Sequence, residues 1–215
     1  MQPNMQPKTR PIVLSSVALV AANLVPLAGV LLGGWRVFDV LILFWAENVV
    51  IGVLNVARMV IVSLRGERGG LAMAGFFCLH YGIFTLVHGI FLVTLFGPSG
   101  ADPFTGLVAL ATPALAWPLL ALAASHGVSF IANFVVGGEM DRTDTGTLMA
   151  APYGRVVVLH VAIIFGGFAV TASGAPILAL ALLVGLKILV DLGAHVREHK
   201  HLAEGPARVR ATKHS

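Results

Sequence analysis

Six apolar runs, each long enough to cross a bilayer as a helix, take up most of this chain, at approximately residues 12–33, 37–64, 71–96, 105–137, 152–173 and 175–196. A membrane-spanning helix needs about 20 consecutive apolar residues, because the hydrocarbon core offers no water to satisfy the backbone. The segments between the runs are short and carry turn chemistry, as in "GGW", "RGERGG" and "GPSGADP". Only 11% of the 215 residues are charged, where a soluble domain carries about 25%. The expected fold class is therefore all-α, an integral membrane helical bundle of about six transmembrane helices over residues 12–196. Tails over 1–11 and 197–215 flank it, and the second is basic.

Charge placement sets the expected orientation. Lys8 and Arg10 precede the first run, Arg65 and Arg68 follow the second, and Arg142 and Arg155 fall between the fourth and fifth. Arg197, Lys200, Arg208, Arg210 and Lys213 follow the sixth, whereas the opposite side offers only Arg36 with Asp39 and Asp102. The positive-inside rule then puts both termini in the cytoplasm. The net charge of +4 reports topology and headgroup contact rather than nucleic-acid binding. The single Cys78 excludes an internal disulfide, a cysteine zinc cluster and a C-x-x-C-H haem attachment. The first run lacks a small-residue cleavage site and reads as a retained helix. The fourth exceeds one span and contains Pro113 and Pro118. Its true span is expected to follow Pro113, with Pro118 near its first turn or at a kink.

Polar residues inside the runs carry the functional reading. At the centre of a membrane helix a carboxylate costs roughly 2.5–3.5 kcal/mol, so Glu47, in "ILFWAENVVIG", needs compensation. At 100° per residue, Glu47, Asn48, Asn55 and Arg58 fall within about a 100° arc, and His80, Tyr81 and His88 within about a quarter turn of the next helix. His126, Ser129 and Asn133 follow i, i+3, i+7 spacing, Tyr153 and His160 are seven apart, and Lys187, Asp191 and His195 are successive i+4 neighbours. Counting inward at 1.5 Å per residue puts His80, His126 and His160 at about one level, with Asn55. Asp191 and His195 lie nearer the cytoplasmic surface, and Glu47 and His88 form a layer about 17 residues in.

Histidines and carboxylates at one depth have the donor set of a transition-metal site for Zn, Fe or Cu, with His80, His126, His160, Asp191 and His195 as candidate ligands. A metal would also offset the buried acids. Glu47 or His88 would serve as general acid/base, positioned by Asn48 or Lys187. Asn55, Tyr81, Ser129, Asn133 and Tyr153 would surround the centre. Three other readings use the same residues. A bis-histidine b-type haem needs two facing histidines among His80, His126 and His160, with Gly82 and Gly127 admitting the ring. A transporter or proton relay uses intramembrane acids, histidines and a lysine. A structural subunit would use them as interhelical hydrogen bonds, worth about 0.6–2 kcal/mol each. Arg58 is expected to snorkel, and Lys187 to meet Asp191 or Glu47. Membrane lipids are the expected partners, with no nucleic acid and a homo-oligomer left open.

"FWAEN", "HYGIFTLVHGIF", "SHGVSFIANF", "APYGRVVVLH" and "LKILVDLGAH" together resemble an uncharacterised bacterial family of small integral membrane proteins, a domain of unknown function. The resemblance runs from the second helix to the end of the sixth. It implies a multi-pass bundle in the bacterial cytoplasmic (inner) membrane and supplies no activity. Ser129, His126, Asp191, His195 and His199 are also similar in type to the residues of the alkaline-ceramidase-like membrane hydrolases, which set serine, aspartate and histidines around an intramembrane zinc. That superfamily has seven spans where this chain shows six.

Overall fold

The computed structural model describes residue 24 and residues 26–100, 102, 104, 108 and 111–190. Among the described residues all regular structure is helical. The main elements are α1 (Val37–Leu64), α2 (Gly70–Phe96), α3 (Pro113–Ser129) running on as a π-helical stretch (Phe130–Val136), and a 3-10 turn (Glu139–Asp141). They are followed by α4 (Thr145–Ala150), α5 (Tyr153–Ser173) and the shorter apolar α6 (Ile177–Val190). Four segments are long and apolar enough to cross a membrane: Val37–Leu64, Gly70–Phe96, Leu115–Val136 and Thr145–Ala169. Of the expected first span only residue 24 and residues 26–33 are described, and 26–32 are helical. The tails, Asp191 and His195 lie outside the described residues.

The 28 residues of α1 make a rod of about 42 Å at 1.5 Å per residue, longer than a bilayer core of about 30 Å. It stops at "RGERGG", where Gly66 (φ 114°) and Gly69 (φ 79°) take left-handed conformations that let the chain reverse. α2 then packs back along α1, the most extensive helix pair among the described residues. With lipid as the competing solvent, such an interface depends on close approach and interhelical hydrogen bonds. Trp45 Nε1 donates to the Thr85 carbonyl at 2.8 Å, and the Tyr81 hydroxyl donates to the Asn48 carbonyl at 3.0 Å. The Trp45 indole covers Gly89, where a Cβ would fall 2.8 Å from the ring.

α3 begins at Pro113, in its first turn, where the missing N–H forfeits no bond. The span indeed follows this proline. Large apolar side chains on its outer face, Trp117, Leu120 and Val128, are exposed, as are Ile131 and Val136 of the π-helical stretch, a disposition suited to lipid.

At one end of the bundle the α1–α2 turn is clipped to the α3–α4 connection. Arg65 pairs with Asp141 at 2.7 Å. The Glu67 carboxylate accepts from the Thr145 backbone at 3.1 Å and from its hydroxyl at 2.6 Å. Asp144 caps α4 by accepting from the Thr147 N–H at 2.8 Å. Asn55 donates to the Leu148 carbonyl at 2.8 Å, which anchors α4 on α1.

Two apolar clusters form the interior. One gathers Phe38, Leu41, Trp45, Leu92, Leu159 and Leu180, and the other Met59, Phe77, Tyr81, Phe134, Leu148 and Val156. Along α1, Glu47, Asn48 and Asn55 fall between the residues of these clusters, and along α2 so do Thr85 and His88. The polar residues thus form a layer between two apolar ones.

Candidate functional site

Glu47, midway along α1, is the centre of that layer. Its Oε1 accepts from Arg155 Nη1 at 3.1 Å and from His126 Nε2 at 3.3 Å. Side-chain exposure is 15% for Glu47, 27% for His126 and 43% for Arg155. The carboxylate is thus the withdrawn member, and the guanidinium reaches it from the more open side. With Nε2–H directed at the carboxylate, neutral His126 keeps its lone pair on Nδ1.

Two cavities flank this group and share Arg155. The smaller, about 30 Å³, is bounded by Phe44, Glu47, Asn48, Arg155, Leu183 and Lys187. Asn48 is 7% exposed, and its Nδ2 donates back to the Phe44 carbonyl at 2.9 Å. Its Oδ1 is buried without a hydrogen-bond partner among the described residues, an unusual state for a buried carbonyl. The larger cavity, about 210 Å³, is bounded by Asn55, Arg58, His126, Ser129, Pro152 and Arg155 among others.

A second polar group joins α2 to α5. His88 Nδ1 faces the Phe84 carbonyl at 2.6 Å, and His88 Nε2 faces His160 Nδ1 at 2.6 Å. A carbonyl can only accept, so His88 Nδ1 carries the hydrogen; neutral His88 then accepts at Nε2 from His160 Nδ1–H. Both rings border an apolar groove with Phe91, Leu95 and Ile163. A third contact joins His80 Nδ1 to the Tyr153 hydroxyl at 2.6 Å, with Phe76 stacked on the imidazole at 5.4 Å.

Among the described residues this geometry does not bring the three expected histidines together. His80, His126 and His160 pair separately with Tyr153, Glu47 and His88. Among the described residues no three His, Cys, Asp or Glu side chains come together in a way that could hold a metal ion. The reason is azimuthal: equal depth on different helices does not make side chains point at one axis. His88 and His160 touch directly. The candidate ligands Asp191 and His195 fall outside the described residues.

The other expected positions separate in the same way. Lys187 and Asn48 share a cavity wall with Glu47. Asn55 and Ser129 share one with His126. Tyr81 holds the α1 backbone at Asn48. Asn133 donates to Ser129 Oγ at 3.1 Å on an exposed surface. Arg155 is the member of the Glu47 group that the sequence reading places elsewhere, among loop charges. It lies in the first turn of α5, and the need of Glu47 for a cation was the clue to it. Arg58, expected to snorkel, instead lies over two aromatic rings, 5.8 Å from the Phe130 centroid and 5.5 Å from that of Phe134.

Among the described residues, fold and site together define a helical protein with four helices long and apolar enough to cross a membrane and a hydrogen-bonded carboxylate–guanidinium–imidazole group between apolar layers. The chain belongs to a family of unknown function, DUF6498, whose model matches residues 5–208. Nothing among the curated proteins or the solved structures matches it.

Proposed function

We propose that this chain is a six-span protein of the bacterial cytoplasmic membrane, with both termini cytoplasmic, whose Glu47–His126–Arg155 group performs acid–base chemistry on a lipid or another small hydrophobic substrate. The single observation that carries the reading is the sharing of Glu47 Oε1 by a guanidinium and an imidazole beside two cavities. Arg155 holds the carboxylate in place; when His126 accepts a proton from the substrate at Nδ1 it releases its Nε2–H to Glu47 along their contact, and the return transfer reverses both steps. The apolar clusters above and below limit water, which strengthens each charge interaction in the layer. Glu47 is the proton-exchanging group, and Asn48 and Lys187, across the smaller cavity, orient what binds there.

The test compares membranes containing the wild-type protein with membranes containing Glu47→Gln or His126→Gln, each matched for folded protein. Lipid-soluble metabolites are profiled by mass spectrometry, and proton flux is followed in proteoliposomes. A species converted by wild type and by neither variant is the expected result. Variants that match wild type in both assays would sink the reading. Flux without any conversion would favour a relay, for which the ordered His160 to His88 contact is the supporting observation. Elemental analysis of the same preparation tests the transition-metal reading, which would require ligands from residues 191–215.

A further inference from the structure

We propose that the larger cavity, between α1, the end of α3 and the start of α5, is a binding site for a phosphate-bearing anion, held by Arg58 and Arg155. As a substrate site it rests on the acid–base reading above; as a binding site it stands on its own donors. Its wall carries two guanidiniums, the His126 imidazole, the Ser129 hydroxyl and the Asn55 amide, and among the described residues that line it none is acidic. Glu47 reaches Arg155 from the other side and occupies one N–H of the five that a guanidinium offers. Among the described residues two cations thus meet one carboxylate around this cavity, before any charge on His126 is counted.

Arg58 is the decisive member. A snorkelling arginine would carry its head to water. Here the guanidinium is held against Phe130 and Phe134, and its Nε is buried without a partner among the described residues. With Nε shielded, a ligand in the cavity would meet the terminal N–H groups of the guanidinium fork. Ser129 already accepts from Asn133, which leaves its own O–H able to donate.

Shape and depth narrow the ligand. The 210 Å³ cavity has room for a group several times larger than one water, whose share of liquid volume is about 30 Å³. A phosphate group offers three or more acceptor oxygens and suits planar guanidinium forks, where a carboxylate offers two. Arg58 lies six residues before the end of α1 at Leu64, about 9 Å along the axis, within reach of headgroup phosphates. The same chemistry would serve a lipid phosphate or a soluble one.

The full-length protein in dodecyl maltoside, a detergent without phosphate, is titrated calorimetrically with dioctanoyl phosphatidic acid, dioctanoylglycerol and inorganic phosphate. Saturable binding of phosphatidic acid is expected, with dioctanoylglycerol weaker by about tenfold or more, as fits loss of charge-assisted hydrogen bonds. Arg58→Gln should weaken phosphatidic acid binding by a similar factor, and Arg58→Lys by less, because charge survives while the fork is lost. Thermal melts of each variant check folding. Glu47→Gln should bind at least as tightly as wild type, because Arg155 is released toward the cavity. Inorganic phosphate binding with the same Arg58 dependence assigns the site to a soluble phosphate; binding of phosphatidic acid alone assigns it to a lipid headgroup. Wild-type protein that binds neither phosphate probe, or that binds dioctanoylglycerol equally well, overturns the proposal, as do folded Arg58 variants with unchanged affinity. Failure of the acid–base reading shows differently, as unchanged metabolite profiles in Glu47→Gln with phosphate binding intact.

Discussion

A double-mutant cycle on Glu47 and Arg155 tests the central contact with a magnitude that the structure bounds from both sides. Removing one partner of a fully buried ion pair costs about 3–5 kcal/mol, while exposed pairs are worth about 0.2–1 kcal/mol. Glu47 is 15% exposed and Arg155 43%, so solvent screens one side of the pair, and the coupling should be about 1–2 kcal/mol. That exceeds the average of about 0.6 kcal/mol measured for interhelical hydrogen bonds in a membrane protein, because here both partners are charged. The single variants should differ in a set order. Arg155→Gln leaves a carboxylate with little access to solvent and should cost about 2–3 kcal/mol. Glu47→Gln leaves a guanidinium that can rehydrate, and it retains an amide acceptor, so it should cost about 1 kcal/mol. Reversible unfolding of the four proteins in mixed micelles, at constant micelle composition, gives all the terms. Coupling below about 0.5 kcal/mol, or a Glu47→Gln protein less stable than Arg155→Gln, would refute the placement of Glu47 as the withdrawn partner.

Three further outcomes follow from other parts of the bundle. Gly89→Ala should destabilise by about 1–3 kcal/mol through overpacking and shift Trp45 fluorescence, because the added Cβ meets the indole that donates to Thr85; an unshifted spectrum with unchanged stability would contradict the α1–α2 contact. Asp144 lies outside the spans, and its carboxyl is held below the ordinary aspartate range by the Thr147 N–H and then the Thr147 hydroxyl. Its folded pKa is depressed, so its contribution is present above the unfolded value and lost as pH falls through the folded one. Protection factors of the α4 amides should accordingly fall at acidic pH in wild type, whereas Asp144→Ala should show low protection throughout; equal protection in the two at neutral pH would rule out the cap. Nitrogen-15 NMR of labelled histidine should show neutral His88 protonated at Nδ1 and unprotonated at Nε2, as its contacts with Phe84 and His160 require; the opposite tautomer would break the order of that pair.

The sequence made the spans legible because hydrophobicity and length are one-dimensional properties. Residues 37–64 are a helix in the structure over the same range, and Pro113 opens α3 as its chemistry requires. The membership of the polar layer was legible too, since an ionisable residue in a span is rare enough to stand out. The pairing of its members was not. Glu47 and His126 were counted about seven residues apart in depth, or about 10 Å, yet they lie 3.3 Å apart. Axial counting takes no account of helix tilt, of side-chain reach or of the π-helical stretch that follows α3. It also ignores azimuth, which is how His80 came to face Tyr153 rather than the other histidines. Arg155 was hidden for a related reason: its backbone lies at the start of α5 with the loop charges, and only its long side chain enters the layer.

The choice of cation for Glu47 links the two cavities. Lys187 is on the wall of the smaller cavity with Glu47, but an ammonium is a compact point charge, whereas a guanidinium has donors in a rigid fork. Arg155 can therefore hold Glu47 with one N–H while presenting others to the larger cavity, which it also lines. An anion bound there competes with Glu47 for the same guanidinium. Protonating Glu47, in turn, frees Arg155 for the anion, and linkage requires the two effects to be equal in free energy. Phosphatidic acid affinity should therefore depend on the charge at position 47, measurable as a tighter Kd in Glu47→Gln than in wild type. Arg155→Lys should weaken that dependence even if it keeps some affinity, because a single ammonium cannot serve both faces at once.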